Sequence, residues 1–468
     1  MNGSKLIDLL KAFSPDELEE FGDFVSSPYF NKREELIPFY LYLRNLAPEW
    51  NEKALEKKEV FRKVFPYEQY DEKQLAYLMN YLLKLGERYL ARKTYEKRLD
   101  AEELDVLESF VEKGLKKHYQ FLVNKILRKY EVSSDKGTDF FYNRFRLADI
   151  RLEYFNSLRK RALDPSFQDF SEFLDDFFMY EKLRHASSMA TLKDTVSAEL
   201  SFDYIDDINR HLRESQSVDP LIQIYQKLYL SYQDDNPAHF EEFLELLSNN
   251  VDNTAIPARR ELYLFAINYC GRRIMAGQSS YYDKVLDLYM EGVDNRALFE
   301  GKYLSPTTYT NIVKLALGLR KIEILEDFIE THSGSLPPEE RADAEYLNRA
   351  EVLYFKKDYG GVIENLREMA HSDFHYTLSS RVLYLKTYYA QDDIEPLLSQ
   401  VTAFNQYLRR NKKMAASVKK PFFNFCKCLG MILRVTPKKY DTVKAKIEEM
   451  NPVAEKNWLL RTLEQQVA

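Results

Sequence analysis

The sequence predicts an all-α protein: an N-terminal helical bundle followed by stacked antiparallel helix pairs. Three observations carry that expectation. Apolar residues recur at spacings of three and four, as in Leu75, Leu78, Met79, Leu82, Leu83, Leu85 and Leu90. That is the period of a helix with one buried stripe. No run of apolar–polar alternation competes with it. Glycine is absent between Gly137 and Gly271, and Pro165, Pro220, Pro237 and Pro257 each sit where one helical pattern gives way to another. Proline belongs at a first helical turn or in a loop, and the glycine gap leaves no room there for a Gly-rich phosphate turn.

Composition narrows the class further. The 468 residues are 45% hydrophobic and 30% charged, which suits a globular chain of more than one domain. With 34 Tyr and 30 Phe the chain is not wholly disordered. With 14 Gly and 16 Pro it is neither collagen-like nor linker-like. No stretch approaches the ~18 apolar residues of a membrane span. Met1 to Glu20 holds no apolar h-region and no small-residue cleavage site. Three cysteines (Cys270, Cys426, Cys428) make no disulfide framework. The expected location is the cytoplasm, away from membranes.

Taken in order, the chain opens with Ser14-Pro15-Asp16-Glu17, an N-cap, a proline at N1 and a glutamate at N3. Phe21, Phe24, Val25, Tyr29 and Phe30 flank a break at Ser26-Ser27-Pro28. Helices are expected near Arg33–Leu46, Lys53–Phe65, Asp71–Lys93, Ala101–Leu115 and Lys117–Tyr130. No period of 34 residues links them. Ser133 to Thr138 is the most loop-like stretch, so the expected division is 1–132, an N-terminal helical domain, and 139–468, a helical-repeat array.

The array shows repeats. Tyr354-Phe355-Lys356-Lys357-Asp358-Tyr359, followed by Val362, Ile363 and Leu366, reads as a helix end, a tight turn and a second helix. Thirty-four residues on, Tyr388 to Asp393 leads into Leu397 and Leu398 in the same way. Looser copies turn at Ile322, Tyr282 and Phe240, at steps of 37, 40 and 42 counting back from Tyr359. The region from about Asp219 to Leu433 resembles the tetratricopeptide-like (TPR-like) superfamily of α-solenoids, whose period is 34 residues. The best copy keeps a small residue (Ala350), a large one before the turn (Phe355) and the turn aromatic (Tyr359). It lacks the Trp–Leu–Gly opening and carries Val362 where a small residue is usual. The resemblance implies a stacked superhelix with a concave binding face, in which neighbouring pairs supply each other's core. Arg349 and Arg381 fall near inner-helix positions of the two best copies.

Charge is unevenly spread. From Asp164 to Asp252 there are 19 acids and 6 bases, a net of −13, against −7 for the whole chain. The segment 405–439 has no acid and ten bases: Arg409, Arg410, Lys412, Lys413, Lys419, Lys420, Lys427, Arg434, Lys438 and Lys439. Such asymmetry points to a partner surface or to self-association. The first six of those bases are the candidate partner- or anion-binding residues. Phe404, Tyr407, Phe422, Phe423 and Phe425 interleave with them, as single-stranded nucleic acid would need, but they fall at helical spacing with Leu408, Leu429 and Ile432, so most are expected in the core and the bases on an outer helix face.

A search for chemistry is negative. Walker A, GxGxxG, GxSxG and HExxH are all absent. Cys426-Lys427-Cys428 has one intervening residue where paired zinc ligands usually have two to four, and reads as two small core residues. His371 and His375 would share a helix face only if Ser372-Asp373 did not break it. Adjacent pairs such as Asp175-Asp176, Asp206-Asp207, Asp234-Asp235 and Glu241-Glu242 point about 100° apart on a helix and are no acid–base dyads. The expectation is therefore a non-enzymatic scaffold or adaptor that binds protein or peptide, with no catalytic, cofactor or metal residues. The alternatives are a nucleic-acid-associated regulator using the basic helices, and an enzyme with an unrecognised site.

Overall fold

The computed structural model describes residues 1–159, 162–192, 202–215, 218–234, 236–370, 374–412 and 414–467. Among them the chain forms twenty-three α-helices, so the all-α class is observed. One short hairpin departs from it, β1 (Phe299–Glu300) against antiparallel β2 (Tyr303–Leu304). Strands of two residues are too short to leave an alternating pattern in sequence. Among the described residues no helix is long and apolar enough to cross a membrane. Two compact units divide the chain: 1–133 with 138–178, and 134–137 with 179–468.

The first unit opens with α1 (Lys5–Lys11), α2 (Pro15–Ser26), α3 (Leu36–Arg44), α4 (Lys57–Val64) and α5 (Glu72–Glu96). The Ser14 capping box is formed. Ser14 Oγ accepts from the Glu17 N–H at 3.2 Å, and Glu17 Oε2 accepts from the Ser14 N–H at 2.9 Å. Two amides that a helix start otherwise leaves open are thus satisfied. The break after α2 is held by buried Asn31, whose Nδ2 donates to the Val25 and Arg33 carbonyls at 2.8 and 2.9 Å. Fully buried Phe21 packs edge-on to Tyr40 at 4.9 Å and against Tyr89 at 5.4 Å. Such ring pairs contribute ~0.5–1.5 kcal/mol beyond the area they bury. Gly86 lets α1 close on α5, since a Cβ there would stand 2.6 Å from Leu9 Cδ2. A further core joins α6 (Leu99–Glu112), α7 (Lys116–Glu131) and α8 (Thr138–Ser157) around Leu104, Leu107, Val123, Ile126, Leu147 and Ile150. The helix α9 (Ser166–Leu192) contributes its first part to this unit and residues from Met179 onward to the second.

In the second unit, residues 134–137 are tied down at Lys136. Its carbonyl accepts from the Ala255 N–H at 2.7 Å, and its Nζ meets Asp219 Oδ2 at 2.8 Å. After α10 (Ile205–Glu214) come five helix pairs: α11 (Pro220–Gln233) with α12 (Pro237–Asn250), α13 (Ile256–Met275) with α14 (Tyr281–Asp294), α15 (Pro306–Gly318) with α16 (Ile322–His332), α17 (Pro338–Phe355) with α18 (Tyr359–Glu368), and α19 (Phe374–Ala390) with α20 (Ile394–Arg410). The helices of each pair pack on one another, and α15, α17 and α19 pack in succession. The result is a helical stack. Ile322 and Tyr359 open α16 and α18, while Phe240 and Tyr282 lie in the first turns of α12 and α14. Second helices begin at 237, 281, 322, 359 and 394, so the step contracts from 44 to 35 residues. The connection from α14 to α15 holds the hairpin, which lengthens that copy. The unit ends with α21 (Ala416–Ile432), α22 (Tyr440–Glu449) and α23 (Lys456–Val467).

Candidate functional site

The basic segment covers the end of α20, the turn after it and α21. Arg409 and Arg410 occupy the last turn of α20, where cations favour the negative end of the helix dipole. Phe404 and Leu408 face the core from that helix, which leaves the two arginines exposed. Lys412 is exposed in the turn, and Lys419 Nζ reaches back to the Asn411 carbonyl. Lys413 lies outside the described residues. On α21, Phe425, Leu429 and Ile432 are buried, and Lys420, Asn424, Lys427 and Met431 follow one another at helical spacing along another face. That helix is fixed from outside: Ala454 N–H donates to the Pro421 carbonyl at 3.1 Å, and Asn424 Nδ2 to the Pro452 carbonyl at 2.7 Å. Arg434, Lys438 and Lys439 are exposed beyond it. Among the described residues no carboxylate pairs with any base of this segment.

The interleaved aromatics are placed differently from the bases. Phe404 and Phe425 are buried, and Tyr407, Phe422 and Phe423 pack half-buried against the same core. The spacing that set them among lysines is the spacing of a core stripe. Cys426 and Cys428 join that core, where burial pushes the Cys426 thiol up to about 12 and the Cys428 thiol upward. Cys270 is buried in α13, far along the chain. His375 stands beside Phe374 on α19, while His371 lies outside the described residues. Glu241 pairs with Lys284 and Glu242 with Lys227, so these neighbours point to different partners. Asp207 pairs with Arg210, and Asp235 lies outside the described residues. Among the described residues no three His, Cys, Asp or Glu side chains converge as a metal site.

The acidic stretch is partly engaged within its own units. Asp169 meets Arg151, Asp176 meets Arg144, Glu181 meets Arg184 and Asp219 meets Lys136. Several of these bases lie outside the stretch in sequence, which is why counting along the chain overstates its surplus.

Sequence reasoning missed the engagement of α17 and α19 by α23 and the residue before it, Glu455. Trp458 Nε1 donates to Tyr354 Oη at 3.2 Å, Tyr389 Oη donates to Gln466 Oε1, and Lys386 Nζ meets Glu455 Oε2 at 3.1 Å. Burial pushes the Lys386 ammonium down, but Glu351 and Glu455 outweigh it and hold it above its ordinary value. Burial likewise pushes the Glu455 carboxyl up, and Lys386 and Lys314 hold it below the usual range. The signal was present: Lys386 falls among Val382, Leu383 and Leu385, and a lysine so placed requires a carboxylate. Of the inner-helix arginines, Arg349 is exposed, and Arg381 lies over the Tyr407 ring at 4.7 Å. Comparison with protein-family models, with curated proteins and with solved structures finds no match to this chain.

Proposed function

We propose that this chain is a non-enzymatic, TPR-like helical-repeat scaffold of the cytoplasm that binds a protein partner, and that segment 405–439 is its docking surface for acidic side chains. The observation that carries the reading is the row of exposed bases, Arg409, Arg410, Lys412, Lys420 and Lys427, for which no described carboxylate is a partner. Exposed charges add little stability, so their accumulation without counter-charges is better accounted for by recognition than by folding. Part of the acidic stretch is already paired with bases of the chain, which leaves less of it for a second copy and favours another protein. Phe404 and Phe425 are buried and Tyr407, Phe422 and Phe423 pack against the same core, which favours protein over single-stranded nucleic acid.

The test is a titration across a salt series with two fluorescent probes, poly-glutamate and a single-stranded RNA. The expected result is poly-glutamate binding that weakens with salt and is lost when Arg409, Arg410, Lys412 and Lys420 are replaced by glutamine. Each phosphate contact contributes a slope of about −0.7 in log affinity against log salt for a single strand. Tighter RNA binding with a slope of several such contacts would move the assignment to nucleic acid. Binding of neither probe would remove this surface from consideration.

A further inference from the structure

We propose that a cleft beside α2 and α3 in the first unit is a separate binding site for a peptide segment that presents one carboxylate next to a bulky apolar side chain. The cleft encloses about 900 Å³, within the range of ordinary ligand sites. Phe13 and Leu18 reach it from the core, and Pro48 and Trp50 add an apolar wall. Trp50 has a φ of +45°, in the left-handed region that a bulky side chain occupies only where its surroundings impose it. Residues held in this way gather at ligand clamps.

Arg44 lines the same cleft, half-buried. Its Nη1 lies 3.3 Å from the point where a Cβ on Gly22 would stand, and Tyr40 Cε1 is equally near that point. Glycine at 22 therefore lets the guanidinium lie against α2. Among the described residues no carboxylate pairs with Arg44 and no group accepts a hydrogen bond from its side chain. A guanidinium that is positioned, partly desolvated and unpaired suits a carboxylate, which it can hold through two parallel hydrogen bonds. The rest of the rim limits the ligand. Lys11 adds a cation, but Glu19 and Glu49 also line the cleft, and Glu52 accepts from Asn2 Nδ2 at 2.7 Å. These carboxylates oppose a polyanion, so a single acid beside an apolar anchor fits better than nucleic acid.

The site is independent of the basic surface, so either reading stands if the other fails. The chain has two tryptophans, and Trp458→Phe leaves Trp50 as the sole reporter. Random twelve-residue peptides displayed on phage are selected on the full chain carrying Arg409→Gln, Arg410→Gln, Lys412→Gln and Lys420→Gln, so that the basic surface does not compete, and the enriched peptide is titrated while Trp50 emission is followed. The expected consensus is an acid beside an aromatic or large aliphatic residue. Exchanging that acid for its amide should weaken binding at least about tenfold, as should Arg44→Gln, with partial recovery in Arg44→Lys. The peptide-side exchange requires no protein variant, so the outcome does not depend on how Arg44→Gln folds. An enriched peptide that binds equally well as its amide overturns the proposal. So does an unchanged Trp50 emission, the absence of any enriched sequence, or RNA that shifts Trp50 emission where peptide does not.

Discussion

Replacing Lys386 by methionine removes an ammonium and keeps most of the apolar stem that fills its place. The side chains of Lys386 and Glu455 are 10% and 33% exposed. Deleting one partner of a buried pair costs ~3–5 kcal/mol, because the charge left behind stays desolvated. A third of the Glu455 side chain still meets water, so the cost should be about 2–3 kcal/mol, below that range. At ~2–4 °C per kcal/mol in a unit of this size, the melting transition of the second unit should fall by roughly 5–10 °C. Adding Glu455→Gln should restore part of the loss, since less charge is then buried without a partner. The pH dependence follows from the two directions. The lowered Glu455 carboxyl contributes stability above its unfolded value and loses it as pH falls through the folded one. The raised Lys386 ammonium contributes below its unfolded value and loses it as pH rises through the folded one. The gap between wild type and Lys386→Met should thus be widest around neutral pH and close towards acid. Urea and thermal unfolding followed by far-UV circular dichroism measure it. A change under ~0.5 kcal/mol, the level of an ordinary surface substitution, or a gap that does not vary from neutral to acid pH, would refute the reasoning.

Two further outcomes are expected. Gly86→Ala should destabilise the first unit by about 1–3 kcal/mol, since its methyl meets Leu9, and a second change, Leu9→Ala, should cost less in that background than alone; a neutral Gly86→Ala in urea unfolding contradicts the packing of α1 on α5. Burial pushes the Cys270 and Cys426 thiols up to about 12 and raises Cys428, so at pH 8 the native chain should resist alkylation and expose three reactive thiols only on denaturation, as mass spectrometry can count.

Much of the fold was legible because it rests on local rules. The apolar spacing of Asp71 to Lys93 and the Ser14-Pro15 start each describe one helix and need no knowledge of its neighbours. The helix-pair turns at Ile322 and Tyr359 were visible for the same reason. What escaped was either too short to carry a period or depended on residues distant in sequence. The hairpin at Phe299–Leu304 pairs two residues with two and leaves no period. The Lys386–Glu455 pair spans 69 residues and Trp458–Tyr354 spans 104, so although Lys386 among apolar neighbours called for a carboxylate, nothing local named the partner of either. The basic surface was half-legible. Its charges could be counted, and the helical spacing of Phe404 and Phe425 with Leu408, Leu429 and Ile432 already pointed to the core, but the internal pairing within the acidic stretch came only with tertiary packing. Arg44 and Trp50 carried no motif, and only the close approach over Gly22 and the cleft around them set them apart.

The central claim, that segment 405–439 docks an acidic protein, is tested most directly by recovery of partners from the native cell with and without nuclease. Wild type is compared with the variant in which Arg409, Arg410, Lys412 and Lys420 are glutamine, after matched melting curves show that both are folded. The account predicts a protein partner that survives nuclease, elutes at raised salt and is missing from the variant. Equal recovery from both chains, or recovery that vanishes with nuclease, would contradict it.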